Sequence, residues 1–208
     1  MTVNNNKELL IVFEGIDGCG KTTQAKLLNE WLCELGVKTL VTKQPGGTET
    51  GEIIRELLLN PSLKKSSYTE LFLLMADRAQ HIKEVVKPAL EEGLTVICDR
   101  WSLSTIAYQV YGRGISLELV KELNNRVNDG IVPDLLLMID VCVEKCLKRK
   151  EAYKKDFIEE ESIEFYELVR RGYLKSIDVG LKNKIVKDGT KEEVSASIKK
   201  AVGLLLNI

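Results

Sequence analysis

Histidine is nearly missing from this chain: His81 is the only one among 208 residues, which removes any His-rich metal centre. Charge of one dominant sign is missing as well. Thirty Lys and Arg stand against 31 Asp and Glu, a net charge of −1 with the signs interspersed, so no basic face offers itself to a nucleic-acid polymer. The five cysteines (Cys19, Cys33, Cys98, Cys142, Cys146) are odd in number and scattered, which excludes a regular disulfide framework and suits reduced thiols. Cys142 and Cys146 lie four apart, but two thiols without further ligands do not make a zinc site. No apolar run approaches the roughly 18 residues that span a bilayer, and Met1 to Lys7 is polar with no signal-like apolar stretch. Together these absences predict a soluble, cytoplasmic protein with no membrane contact. There is also no internal repeat or low-complexity tract, and the four prolines act as punctuation.

What is present is the material of one compact core: 44% apolar residues in a length that suits a single domain, 1–208. Short β-type runs (9–13, 38–42, 94–98, 134–139, 184–187) alternate with helical patterns (21–35, 51–59, 67–91, 102–111, 116–128, 143–153, 159–179, 190–205). That rhythm predicts an α/β fold, a five-stranded parallel sheet with helices on both faces and right-handed crossovers. Leu94-Thr95-Val96-Ile97-Cys98 and Leu135-Leu136-Leu137-Met138-Ile139 are almost continuously apolar, as strands buried on both faces are. Pro88 falls inside the 67–91 pattern, where it should kink or divide the helix.

The most informative stretch follows the first apolar run. Gly15-Ile16-Asp17-Gly18-Cys19-Gly20-Lys21-Thr22, with Thr23 next, matches G-x-x-x-x-G-K-[ST] between a strand and a helix. Its glycines let successive backbone N–H groups converge on a phosphate-sized anion, and the helix beginning near Lys21 adds its positive end. Lys21 supplies a mobile ammonium for β- and γ-phosphates, and the Thr22 hydroxyl can ligate Mg²⁺. This predicts a site for a nucleoside triphosphate with Mg²⁺. In open parallel sheets ligands sit beyond the carboxyl ends of the strands, so Lys43 to Thr48 and the pair Asp99-Arg100 should share the cleft. Asp99 is expected to hold the Mg²⁺, directly or through water.

At this point the residues carry a family resemblance. I-V-F-E-G-I-D-G-C-G-K-T-T-Q, K-Q-P-G-G-T-E, A-D-R-A-Q-H-I, D-R-W-S-L-S-T-I-A-Y-Q, G-R-G-I and P-D-L-L-L-M-I-D together resemble the bacterial thymidylate kinases from about residue 9 to 174. The resemblance implies transfer of the γ-phosphoryl group of ATP to dTMP, giving dTDP and ADP for dTTP synthesis, by a P-loop kinase that forms a homodimer. It implies that Arg55 and Arg100 meet the dTMP phosphate, that Arg78 meets thymine O4 and that Asp17 meets the sugar 3′-hydroxyl. By the same resemblance Ser104 and Thr105 meet the base edge and Tyr108 crowds the sugar 2′ position; core packing of Tyr108 competes with that last reading.

The chain departs from this pattern at three places. Leu74 stands where a phenylalanine usually stacks on thymine, and Phe72 points elsewhere on the helix. Lys43-Gln44 replaces Arg-Glu before Pro45-Gly46-Gly47. The phosphate loop lacks an arginine, so the catalytic cation is expected from a lid at about 143–160, where Arg149, within Lys148-Arg149-Lys150, is preferred over Lys154 and Lys155; Phe157 follows Asp156 where an arginine is often found. Two other functions compete: a different nucleoside-monophosphate or deoxynucleoside kinase, and a nucleotide-binding switch with no acceptor site. The three arginines and the D-R-W-S-L-S-T-I-A-Y segment favour an acceptor pocket.

Overall fold

The computed structural model describes residues 8–150, 161–178, 180 and 182–207. Five strands, β1 (Leu10–Glu14), β2 (Thr39–Lys43), β3 (Thr95–Asp99), β4 (Leu135–Asp140) and β5 (Asn183–Lys187), form one all-parallel sheet in the order β2-β3-β1-β4-β5. Around it run α1 (Lys21–Glu34), α2 (Glu49–Leu59), α3 (Ser67–His81), α4 (Lys87–Glu91), α5 (Ser102–Thr105), α6 (Leu117–Asn128), α7 (Val143–Lys150), α8 (Ile163–Ser176) and α9 (Lys191–Leu206). The chain leaves β1 toward one edge of the sheet and β3 toward the other, so a crevice opens beyond the carboxyl ends of these two strands.

β1 is buried along its whole length and divides its side chains between two cores. Leu9, Ile11 and Phe13 pack with Leu28, Leu32, Ile198 and Val202 on the face covered by α1 and α9. Leu10 and Val12 pack with Ile82, Val86, Val96 and Trp101 on the other. Each such side chain contributes about 1.5–3 kcal/mol when fully buried, which is why the centre of the sheet can hold charged residues at its exit.

The helical segment expected over 67–91 is continuous but not uniform. Residues Ile82–Val86 form a wide π turn, and Pro88 sits in the first turn of α4. The wide turn stands just before Pro88, which lacks the N–H that an ordinary spiral would use, and it divides the helical run into α3 and α4 without ending it. A second wide turn, Ile106–Gly112, follows α5 where an ordinary helix over 102–111 was expected. Just beyond it Arg113 pairs with Glu70 of α3 (3.0 Å) and Glu161 (2.6 Å) and lies 4.7 Å from the Phe165 ring. Helix α2 starts at Glu49, two residues before the expected 51, on the Thr48 cap, whose hydroxyl accepts from Gly51 N. α8 starts at Ile163 on the Ser162 cap and ends at Ser176, shorter than 159–179. Of the expected lid, Val143–Lys150 is α7, while Lys154, Lys155, Asp156 and Phe157 lie outside the described residues.

Candidate active site

The phosphate loop is built as its glycines require. Gly15 has φ +136, and a Cβ there would stand 2.6 Å from the Ile139 carbonyl oxygen and 2.8 Å from Cys19 Sγ. Only glycine fits against β4 at this point. The side chains of Ile16 and Cys19 turn into the core, so these two residues offer the nucleotide main chain. Burial also pushes the Cys19 thiol up, against the pull of Lys21 and Arg100, keeping it protonated. Helices α2, α3, α6, α8 and α9 start on Ser or Thr caps, whereas α1 starts at Gly20 (φ +102) with no side-chain cap and no acid in its first turn. That end is left to an anionic ligand.

Lys21 Nζ donates to the carbonyl oxygens of Gly15 and Ile16, each at 3.0 Å. Thr22 Oγ1 donates to Asp99 Oδ2 at 2.6 Å. The other oxygen, Asp99 Oδ1, is buried and has no hydrogen-bond partner among the described residues. Arg149 reaches over the loop from α7, with Nη1 3.5 Å from the Gly18 carbonyl oxygen and Nη2 3.4 Å from Asp188. These groups, with Thr23 and the turn Asp188 to Lys191, line a cavity of about 1090 Å³.

Beside it lies a smaller cavity of about 160 Å³ whose walls are side chains. Arg100 is its centrepiece. Among the described residues it is the one non-glycine residue at a strand end with a left-handed backbone, φ +79, a conformation that costs energy and marks functional positions. Its guanidinium donates to Asp17, Ser104 Oγ (3.0 Å), Tyr173 OH (3.0 Å) and the Gly15 carbonyl (3.3 Å). Burial opposes its charge, but Asp17, Tyr108 and Tyr173 hold its pKa well above the ordinary value. Tyr108 OH donates to Asp17 Oδ2 at 2.6 Å, and its ring meets Phe165 and Tyr173 edge to face. Packing and a polar role therefore coexist at Tyr108.

Arg78, almost fully buried on α3, donates Nε to Gln44 Oε1 (2.8 Å), Nη2 to Thr105 Oγ1 (3.0 Å) and Nη1 to Asn124 Oδ1. Burial lowers its pKa to about 10, a value at which it is still charged at neutral pH. Arg55 donates to the Pro45 carbonyl (3.0 Å) and lines both cavities. Leu74 is half-buried on the wall of the smaller cavity, backed by the cluster of Leu71, Met75, Ile115 and Val120. Phe72 is 55% exposed and belongs to the opposite side of the helix.

One expected role meets a different geometry. The Ser104 hydroxyl, expected at a base edge, is committed to Glu14, Arg100 and Tyr173, because Glu14 at the end of β1 needs donors. Glu14 itself had no assigned role. It is fully buried, accepts from the backbone N–H of Trp101 (2.9 Å) and Ser104 (3.1 Å), and burial raises its pKa despite those bonds. The signal was an acid closing an apolar strand directly before the phosphate loop. Also missed were Asp77, whose carboxylate accepts from Gly46 N (2.7 Å), and Gln109, whose Oε1 is buried without a partner among the described residues on the wall of the smaller cavity.

A parallel sheet in this strand order, a phosphate loop after its central strand and an arginine-rich pocket alongside define a P-loop kinase. Residues 13–198 match the family model described as thymidylate kinase. The thymidylate kinase of Prochlorococcus marinus (strain NATL1A) is 41% identical over 207 residues, 96% of this chain and 98% of that protein. That of Pelotomaculum thermopropionicum is 47% identical over 171 residues, 81% and 79% of the two chains. The crystal structure of thymidylate kinase from Ehrlichia chaffeensis aligns with a TM-score of 0.77 at 33% identity, covering 94% of this chain and 98% of that one. The chain belongs to the thymidylate kinase family.

Proposed function

We propose that the chain is a single kinase domain that transfers the γ-phosphoryl group of ATP to dTMP, giving dTDP and ADP. The observation that carries this reading is the shared wall: Asp17, Gln44, Arg55 and Arg100 line both the large cavity and the small one. A switch protein needs no second pocket opening onto its triphosphate site. A kinase does, since catalysis of phosphoryl transfer consists mainly in holding donor and acceptor in line while charge is neutralised.

In this reading the triphosphate lies along the loop and the uncapped start of α1. Lys21 exchanges two neutral carbonyls for phosphate oxygens, a stronger charge-assisted pairing. Arg149 closes over the loop from α7 as the lid cation. Arg55 and Arg100 receive the acceptor phosphate, Asp17 the sugar 3′-hydroxyl, and Arg78, Thr105, Leu74 and Gln109 the base. The Thr22 hydroxyl and Asp99 fit a Mg²⁺ ion, because Asp99 keeps one buried oxygen unpaired among the described residues and Mg²⁺ is held by one or two protein oxygens plus substrate phosphates. Mg²⁺ bound there would neutralise phosphate charge.

We read the protein as cytoplasmic and homodimeric. No helix among the described residues is long and apolar enough to cross a membrane. Ile53 and Leu57 on α2 and Tyr68 and Phe72 on the adjoining α3 are exposed at i, i+4 spacing, an apolar face suited to a second copy. A coupled ADP-release assay with dTMP, dUMP, dCMP, GMP and thymidine tests the activity. Turnover confined to dTMP and, more weakly, dUMP is expected; preference for another nucleotide or for thymidine would overturn the reading.

A further inference from the structure

We propose that Gln44 is a positioning residue that aims Arg78 at the acceptor base, through a hydrogen-bond relay seated on His81. The proposal rests on the reading that Arg78 meets that base. Gln44 is buried on the wall shared by the two cavities, and its backbone N–H is fixed to the Asp99 carbonyl at 2.9 Å. Its carboxamide lies between two buried groups, with Oε1 2.8 Å from Arg78 Nε and Nε2 2.9 Å from His81 Nδ1. His81 Nε2 in turn lies 2.6 Å from Thr42 Oγ1.

The proton assignment has one consistent solution. A guanidinium offers only donors, so the amide oxygen must face Arg78 and the amide nitrogen must face His81. Nδ1 is then the acceptor, and the imidazole carries its proton on Nε2 and donates to Thr42. Burial, with the charge of Arg78, lowers the histidine pKa to about 4, so the ring stays neutral as this scheme needs. The ring cannot slide away. Gly47, at φ +84, passes so close that a Cβ there would stand 2.9 Å from the imidazole.

The relay has an electrostatic consequence. The other acceptors on Arg78, from Thr105, Asn124 and Ser102, are also neutral, and among the described residues none of its hydrogen bonds goes to a carboxylate. Asp77 spends Oδ1 on Gly46 N, and Glu14 accepts from Trp101 and Ser104. Arg78 is therefore held at four points without being neutralised by direct pairing, leaving its field directed at a carbonyl on the ligand. A carboxylate at position 44, where the family pattern places one, would hold the same Nε but pair with its charge.

The single histidine makes the test direct. In histidine-labelled protein, the nitrogen resonances of His81 should show the proton on Nε2; a proton on Nδ1 would reverse the amide and overturn the proposal. Gln44→Met keeps the volume and loses both bonds, and should raise the KM for dTMP roughly tenfold with the KM for ATP unchanged. Gln44→Glu still accepts from Arg78 and should stay within about threefold of the parent KM for dTMP. It should also move the imidazole proton to Nδ1, since a carboxylate can only accept. An unchanged KM for dTMP in Gln44→Met, or equal rises for both nucleotides, would sink the relay. Arg78→Ala separates the two failures. If it weakens dTMP while Gln44→Met does not, the relay alone is wrong; if neither does, base recognition by Arg78 is wrong and the relay falls with it. Should Gln44→Met not fold, the wild-type tautomer and the Gln44→Glu pair of readouts still decide.

Discussion

The donor and acceptor pockets are made of different material. On the donor side the working surface is main chain: glycines at 15, 18 and 20 in left-handed or extended-positive conformations, carbonyls holding Lys21, and a helix start with no side-chain cap. On the acceptor side it is side chain, with Arg78 and Arg100 each held by three or more partners drawn from separate elements. A main-chain cradle tolerates changes that respect its glycines and its one lysine. A side-chain network fails piece by piece, and each failure shows in one ligand rather than both.

The largest expected effect comes from the donor side. Lys21→Ala should reduce the transfer rate by about 3–4 kcal/mol, the scale of losing a preorganised electrostatic donor, with the circular-dichroism spectrum intact. Single-turnover rates near the parent value would break the comparison at its root. Arg78→Ala should weaken dTMP by about 2–3 kcal/mol, because it leaves Gln44, Thr105 and Asn124 without their shared donor, and leave ATP unaffected. Calorimetric titration of each nucleotide checks this, and equal losses would move α3 out of the acceptor pocket.

Next in size is a pair of opposed titrations on the acceptor wall. Burial raises Asp77 to about 6, so between pH 3.8 and 6 the folded chain keeps a proton that the unfolded chain has lost, and stability falls as pH rises. His81 does the reverse. Lowered to about 4 from 6.5, it is neutral when folded and protonated when unfolded across that window, so stability rises with pH. Asp77→Asn should steepen the rise and His81→Gln should turn it into a fall, each by on the order of 2–3 kcal/mol between the two ends. Melting temperatures at pH 4, 5 and 6.5 measure it; parallel profiles for parent and variants would refute the assignment.

The smallest effect concerns Leu74. Phe72 is on the other side of the helix and Met75 is buried beneath, so neither fills the space beside Leu74. Leu74→Phe should therefore add a ring–ring contact and tighten dTMP about two- to tenfold, or 0.5–1.5 kcal/mol. Weaker binding together with a lower melting temperature would show an overpacked wall instead.

How legible each pocket was follows from the same contrast. The donor loop is eight consecutive residues with a fixed spacing, and its strand, glycines and helix could be read without knowing any contact. The acceptor arginines were legible only inside their motifs, and their partners less so, since Asn124 and Gln109 look like ordinary polar helix residues until the tertiary fold faces them inward. Four of the five strands begin one residue later than the apolar runs suggested and end on a polar residue, Glu14, Lys43, Asp99 or Asp140. Ladder hydrogen bonds belong to the main chain and do not stop where apolar side chains do. That single residue matters, because it places Glu14 and Asp99 in the sheet, fixed, rather than on the loops that follow.

The wide turn over Ile106–Gly112 is the form a helix takes when it holds one residue more than its neighbours on either side can phase. Arg113 N reaches back five residues to the Tyr108 carbonyl at 2.9 Å, instead of four. Removing one residue from the stretch would restore an ordinary spiral and rotate everything after it by about 100° against Thr105 and Tyr108. Arg113 would swing off Glu70, and the link between α3 and the start of α8 would be cut at one stroke. The stretch should accept exchanges at half-buried positions such as Ile106 and Val110 far more readily than any insertion or deletion: what it has to conserve is its length.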